Sequence, residues 1–282
     1  MARVAIVMGI PHNPFHYRLT RAPRSEWSPD TANTQQRGDL FGEKLRRASP
    51  DALVMVGNDH FHQFFMDNMP AFVLGKMPAF DGTFYNEERE FALPRVRIPG
   101  DLELAKQILR GMLDRGVDLA YSDEMKVDHS VVVPLNFVRP EMDLPIVPIM
   151  SNCVAPPLPT ARRFYEVGRT LRAVLDAIPG DRRIGVIATG NLSLEVGGPQ
   201  QFDPRSTDPA FDEAAVRWIR EADIDTAARE CTEERLRATG NVSHAYMNFL
   251  LALGVAGTTP THAEGMKRRG SDQPWFAWEL AA

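Results

Sequence analysis

Short runs of consecutive apolar residues alternate, over the first two thirds of the chain, with longer segments whose apolar positions recur every three or four residues. The runs "VAIVMGI" (4–10), "ALVMVG" (52–57), "LPIVPIM" (144–150) and "IGVIATG" (184–190) are apolar at successive positions, as strands covered on both faces must be. "VDLAYSD" (117–123) is a fifth candidate. Between them, "TQQRGDLFGEKLRRAS" leads into the second run, and "DLELAKQILRGMLDRG" opens on Asp101 as a cap and ends at Gly116. "PTARRFYEVGRTLRAVLDAI" precedes the run at 184–190 and is stopped by Pro179 and Gly180. Strands alternating with helices predict an α/β fold, with a parallel or mixed central sheet flanked by helices on both sides.

After Gly198 the texture changes. Three consecutive helices are predicted in "DPAFDEAAVRWIREADI", "DTAARECTEERLRATG" and "SHAYMNFLLALGVAG". The tail "HAEGMKRRGSDQPWFAWELAA" is expected to fold back over the body. No internal repeat or low-complexity linker divides the chain, so a single domain over 1–282 is expected. The Pro-rich stretch near 11–32 is a candidate lid or oligomer contact.

Composition narrows the class. With 44% hydrophobic and 24% charged residues the chain can bury an ordinary globular core. A net charge of −5 gives no basic footprint for nucleic acid or an anionic membrane surface. There is no run of 18 apolar residues, and "MARVAIVMGIPHNPF" is interrupted by Pro11, His12 and Pro14, so neither a membrane span nor a signal peptide is expected. Cys153 and Cys231 form no CxxC and read as buried thiols of a reducing compartment, which makes the cytoplasm the expected location.

The candidate chemistry lies at strand ends. His12 follows the first strand in "GIPHNPF", His60 follows the second in "MVGNDHFHQFF", and His129 precedes another apolar run in "MKVDHSVVVPL". Taken singly, each reads more readily as a satisfied structural or surface histidine. Together they fall where the ends of an open parallel sheet meet and ligands bind. Converging imidazoles offer neutral nitrogen donors to a divalent transition metal, and Asp59 and Asp128 stand next to two of them. The absence of CxxC and HExxH argues against structural zinc and zincin proteases. Phe61, Phe64 and Phe65 offer either a wall for a planar ring or core packing. "IATGNLSLEVGG" (187–198) ends a strand in small and polar residues but lacks the spacing of a phosphate cradle.

"VGNDHFHQFFMDNMPAFVLG" and "MKVDHSVVVPLNFV", with the His after the first strand and the "TG–LS" turn, resemble the class III extradiol ring-cleavage dioxygenases. The resemblance implies a single α/β domain with Fe(II) in a cleft at the strand ends, acting on a catechol-like aromatic substrate and O2. It implies His12 and His60 as iron ligands and His129 as the residue that hydrogen-bonds the substrate or acts as an acid, with Asp128 orienting it.

Two positions depart from that family. Its strand-end turn ends in a catalytic His, where this chain has Leu194; Glu195 and Ser193 of the same turn are the remaining candidates for that chemistry. Its late helix carries a ligand Glu at or next to Ala245, where His244 is the metal-competent side chain, so a site of His12, His60 and His244 is expected. Three readings follow: a ring-cleaving dioxygenase with an altered site; a non-oxidative hydrolase or lyase on an aromatic or ring-opened acid; or a non-catalytic subunit paired with an active homologue. A homo-oligomer, a homodimer in the simplest case, is expected from the late helices and the Trp-bearing tail.

Overall fold

The computed structural model describes residues 1–201, 203–268 and 271–280; Phe202, Arg269, Gly270, Ala281 and Ala282, the last four of them in the tail segment, lie outside the described residues. The first half of the chain runs β1 (Arg3–Pro11), α1 (Pro14–Leu19), α2 (Pro29–Ala48), β2 (Ala52–Asn58), β3 (Phe72–Gly75), β4 (Ala79–Gly82), α3 (Tyr85–Phe91), β5 (Val96–Pro99), α4 (Leu102–Leu113), β6 (Ala120–Ser122) and α5 (His129–Val138). The second half continues with β7 (Ile146–Ser151), α6 (Ala161–Ala177), β8 (Arg183–Gly190), α7 (Pro209–Glu221), α8 (Ile224–Glu230), α9 (Glu233–Ala238), α10 (Met247–Ala256), β9 (His262–Met266) and β10 (Gln273–Glu279).

Among the described residues the main sheet has the order β6-β3-β7-β2-β8-β1-β10-β9, and β4 and β5 form a separate hairpin. Its centre, β7-β2-β8-β1, is parallel, while β3 and β10 join it antiparallel, so the sheet is mixed. Alternate residues of each central strand feed different cores. Ala52, Val54 and Val56 pack with α4, α6 and α10; Leu53 and Met55 pack with α2 and α5 on the other face. Covering both faces is what makes the central strands apolar throughout.

One expectation changes and others gain detail. The segment 225–240 is two helices, because Thr232 accepts from Arg235 N at 3.1 Å and caps a new one. The tail does return to the body, as the β9–β10 hairpin: it extends the sheet beside β1, with Trp275 and Trp278 fully buried. The apolar run after His129 is a helix, α5, started by Asp128, whose side chain accepts from Ser130 N. The Pro-rich stretch supplies α1 and the start of α2. Among the described residues no helix is long and apolar enough to cross a membrane.

Candidate active site at the strand ends

Sheet register brings the first part of the site together. Pro11 pairs with Gly190 at the ends of β1 and β8, so the residues that follow, His12 and Asn191, leave the sheet side by side. His12 is buried, with Nδ1 3.0 Å from Thr189 Oγ1 and Nε2 3.0 Å from Asn191 Nδ2. Gly190 has to be glycine for packing: a Cβ there would lie 2.3 Å from the Ala245 carbonyl oxygen.

His60 arrives from β2 through a loop organised by Asp59. One oxygen of that carboxylate accepts from the backbone N–H groups of His62, Gln63 and Phe64 at 3.0, 3.3 and 3.1 Å. The turn aims the His60 ring inward, with Nδ1 2.8 Å from Asp128 Oδ2 and Nε2 3.1 Å from Asn58 Nδ2. The other oxygen of Asp59 and Asn58 Oδ1 are buried without a hydrogen-bond partner.

The third imidazole, His129, begins α5. It is gripped by Glu87, a fully buried residue of α3, which accepts from His129 N at 2.8 Å and meets its Nδ1 at 2.6 Å. The second Glu87 oxygen accepts from Phe84 N at 3.0 Å. The His129 ring stacks on that of His60 with centroids 3.9 Å apart, and His12 stands edge-on to both at 5.3 and 5.6 Å. Coordinating atoms of His12, His60 and His129 lie within 4.8 Å of one another.

Charge follows from burial and neighbours. Burial, then the adjoining imidazoles, pushes the pKa of His12 and of His60 down, so both rings are neutral donors at pH 7. Burial disfavours the Asp128 charge, but His60, the hydrogen bonds from His60 and His62, and His129 outweigh it and hold its carboxyl well below the usual carboxylate range. Burial also disfavours a charged His62, yet Asp128, Glu87 and Asp59 raise its pKa. His62 lies 3.4 Å from Asp128 Oδ2, stacks on Phe84 and meets Asn86 Nδ2 at 3.1 Å.

The cleft is lined by His12, His60, His62 and His129 together with the apolar side chains of Phe15, Phe91, Leu194, Val196 and Val242, and the Phe91 ring lies 6.2 Å from that of His129. A planar ring with adjacent polar groups fits such a surface.

Several expected residues sit elsewhere. His244 is in a 3-10 turn with Nε2 3.3 Å from the Glu233 carbonyl oxygen, and it is absent from both the cleft lining and the histidine cluster; the turn points it at α9 rather than at β1 and β2. Ser193 is fully buried and ties the turn to α7: its N donates to Asp212 at 2.7 Å and its Oγ accepts from Asp208 N at 3.0 Å. Glu195 accepts from Asn241 N at 2.9 Å and lines an adjoining pocket, not the histidine cleft. Asp128 hydrogen-bonds His60 and His62, whereas the residue behind His129 is Glu87. Phe61, Phe64 and Phe65 do not line the cleft; Phe61 and Phe65 are largely exposed, and Phe64 packs on the core. Glu87 has no local signal, being one of three acidic residues in "YNEEREFALPRVRIPGD" before Asp101, whereas His62 stands two residues after His60 and was available by proximity.

The family described as the catalytic LigB subunit of aromatic ring-opening dioxygenase matches residues 7–278. Among curated proteins, the 2,3-dihydroxyphenylpropionate/2,3-dihydroxicinnamic acid 1,2-dioxygenase of Photorhabdus laumondii is 32% identical over 177 residues, 61% of this chain and 53% of that protein. A second enzyme of that description, from Pseudomonas putida, is 28% identical over 204 residues, 71% of this chain and 62% of that protein. The chain thus matches between half and two thirds of the length of these relatives. The crystal structure of an uncharacterized protein, JW3007, from Escherichia coli K12 has the same fold, with a TM-score of 0.62 at 17% identity over 97% of this chain and 99% of that one.

Proposed function

The chain belongs to the LigB family of aromatic ring-opening dioxygenase catalytic subunits, and from that premise we propose that it opens the ring of a catechol-like substrate with O2 at a ferrous ion held by the strand-end histidines. The observation that carries the reading is the convergence of three imidazoles, His12 and His129 buried and His60 half-buried, at one end of the sheet in a cleft with a largely apolar remaining lining.

The donor set fits such an ion. Thr189 and Asp128 hold Nδ1 of His12 and of His60, and amide groups of Asn191 and Asn58 meet their Nε2 atoms, which marks Nε2 as the lone-pair nitrogen in each ring. Carboxylates or hydroxyls behind imidazoles are the usual support of histidine ligands. The polar atoms Asn58 Oδ1 and Asp59 Oδ1, buried without partners beside His60, are the cost of a polar centre that no apolar core would keep. His12 and His60 would hold the ion, whose chemistry when bound is to bring the diol oxygens and O2 together and pass electron density between them.

The remaining steps fall to the chain itself. His129, with Nδ1 fixed by Glu87, presents Nε2 to the substrate and moves the proton of a diol hydroxyl. It takes over the proton transfer that Leu194 cannot perform. Phe15, Phe91 and the aliphatic wall hold the ring and exclude water. His129 also lies close enough to His12 and His60 to serve as a third ligand, and iron stoichiometry in a His129 variant separates the two roles.

The test is anaerobic loading with Fe(II) followed by oxygen uptake on a panel of catechols. Oxygen consumed in proportion to a yellow ring-opened product supports the reading. Undiminished turnover of an aromatic or ring-opened acid after chelation, with no oxygen consumed, would overturn it in favour of a non-oxidative hydrolase or lyase. Absence of iron together with co-purification of a homologous chain would point to a non-catalytic subunit.

A further inference from the structure

Beside the histidine cluster lies a group of carboxylates that the proposed reaction uses only as supports. One oxygen of Asp59, one ring nitrogen of His62 and one oxygen of Asp128 lie within 4.8 Å of one another. Asp59 and Asp128 are buried, while His62 lines the cleft, so the cleft gives a route to the group past that ring. Asp59 Oδ2 accepts from three backbone N–H groups, whereas Oδ1 is buried with no hydrogen-bond partner. Glu87, behind His129, adds a third buried carboxyl. Among the described residues no Lys or Arg balances the three: the ion pairs of Asp128 and Glu87 are with imidazoles alone, and Asp59 has none. One of those imidazoles, His60, is kept neutral by burial. Buried carboxylates are stable when they are paired with a cation or coordinate a metal. Burial, then Asp128, raises the Asp59 pKa, so the two negative charges are poorly matched as they stand.

We propose that Asp59, His62 and Asp128 form a second metal site, for a divalent first-row transition cation that pins the His60 loop to the start of α5. Two carboxylate oxygens and one imidazole nitrogen suit Zn(II), Mn(II) or Fe(II). Asp59 gives Oδ1, its unengaged oxygen, and Asp128 gives Oδ2, which already faces His60 and His62. His62 gives Nδ1, 3.4 Å from that Asp128 oxygen. Its proton then sits on Nε2, where the Asn86 side-chain amide, turned over, accepts it. This ion is distinct from the one that His12 and His60 would hold. The two donor sets share no residue, and Asp128 connects them only through its hydrogen bond with His60. The site stands independently of the ring-opening reading, because it rests on charge balance and not on a substrate. An imidazolium at His62 is the competing way to balance the carboxylates, and it excludes the ion.

The experiment strips the purified full chain with chelator, reloads it with Zn(II), removes loose ion on a desalting column and counts what remains. The wild type retains two ions per chain, a count that needs no variant. His62→Ala and Asp59→Asn each retain one, as does His12→Ala, and His12→Ala combined with His62→Ala retains none. Zn(II) raises the Tm of His12→Ala but not that of the combined variant, since an ion stabilises only a fold that holds it. Two ions in both His62→Ala and Asp59→Asn overturn the proposal. So does a second ion lost only in Glu87→Gln, which belongs instead to Glu87, Asp128 and His129. A single wild-type ion, lost in His12→Ala and kept in His62→Ala, overturns the second site and leaves the ring-opening reading standing. A single ion lost in His62→Ala and kept in His12→Ala sustains the second site and sinks the iron site on which that reading depends. No retained ion overturns both.

Discussion

Glu87 Oε1 lies 2.6 Å from His129 Nδ1, a contact between a fully buried carboxyl on α3 and the first residue of α5, 42 positions away. It fixes which His129 nitrogen is left to face the cleft. Glu87→Gln keeps the shape and removes the anionic acceptor. We expect kcat to fall about 10- to 100-fold, in the range found for residues that orient a catalytic histidine or ligand, with KM little changed and the kcat–pH profile displaced. Glu87→Ala strands three N–H groups, and we expect a loss of stability above about 3 kcal/mol in urea melts.

Iron retention separates the roles of the histidines. His12→Ala and His60→Ala are expected to lose bound iron, and Asp128→Asn to weaken it about 10- to 100-fold by releasing the His60 ring. His129→Ala is expected to keep iron and lose turnover, measured by metal analysis beside oxygen uptake. Loss of iron in His129→Ala would make it the third ligand instead.

His244→Ala is the contrasting case. Its Nε2 faces the Glu233 carbonyl, so the change is expected to cost about 1 kcal/mol of stability and to leave iron content and kcat unaltered. Iron loss in this variant would mean that the turn at 243–246 rearranges on binding.

Asp212 supplies a pH dependence away from the histidines. Burial, with some help from Asp272, raises its pKa to about 7 against the hydrogen bonds from Ser193 and the charge of Lys267. Its folded pKa therefore exceeds its unfolded one, so the folded state holds a proton the unfolded state has released between about pH 4 and 7. The stabilisation is complete below that window and lost as pH rises through 7. Thermal melts of the wild type should drop from pH 5 to pH 8, while Asp212→Asn should drop less and be the more stable of the two at pH 8. Parallel curves for both proteins would refute this.

Gly190→Ala drives a Cβ to within 2.3 Å of the Ala245 carbonyl oxygen, a backbone atom that cannot swing aside. A loss of about 3 kcal/mol in denaturant unfolding is expected, with oxygen uptake reduced because His12 and Asn191 leave the sheet at this point.

What the sequence determined by itself is the parallel centre of the sheet and the first half of the site. The apolar runs mark β1, β2, β7 and β8 within one or two residues, because a strand covered on both faces has no choice of residue type. Parallel register then carries His12 and His60 to the same end, since the residue after a buried strand must emerge there. The tertiary structure alone decided the partners. Asp128 is adjacent to His129 in sequence, yet as the cap of α5 its side chain turns to His60 and His62, and a carboxylate from α3 takes His129. His244 neighbours the position of an expected ligand, but one step around a tight turn sends it to Glu233. Arg268 and Glu195, 73 positions apart, line one pocket only because the tail packs beside the 187–198 turn. Periodicity reports which side of an element is buried; it carries no information about which polar group from a distant element will satisfy a buried imidazole. That is settled by packing, because each such group must find its hydrogen bond in whatever the fold places next to it.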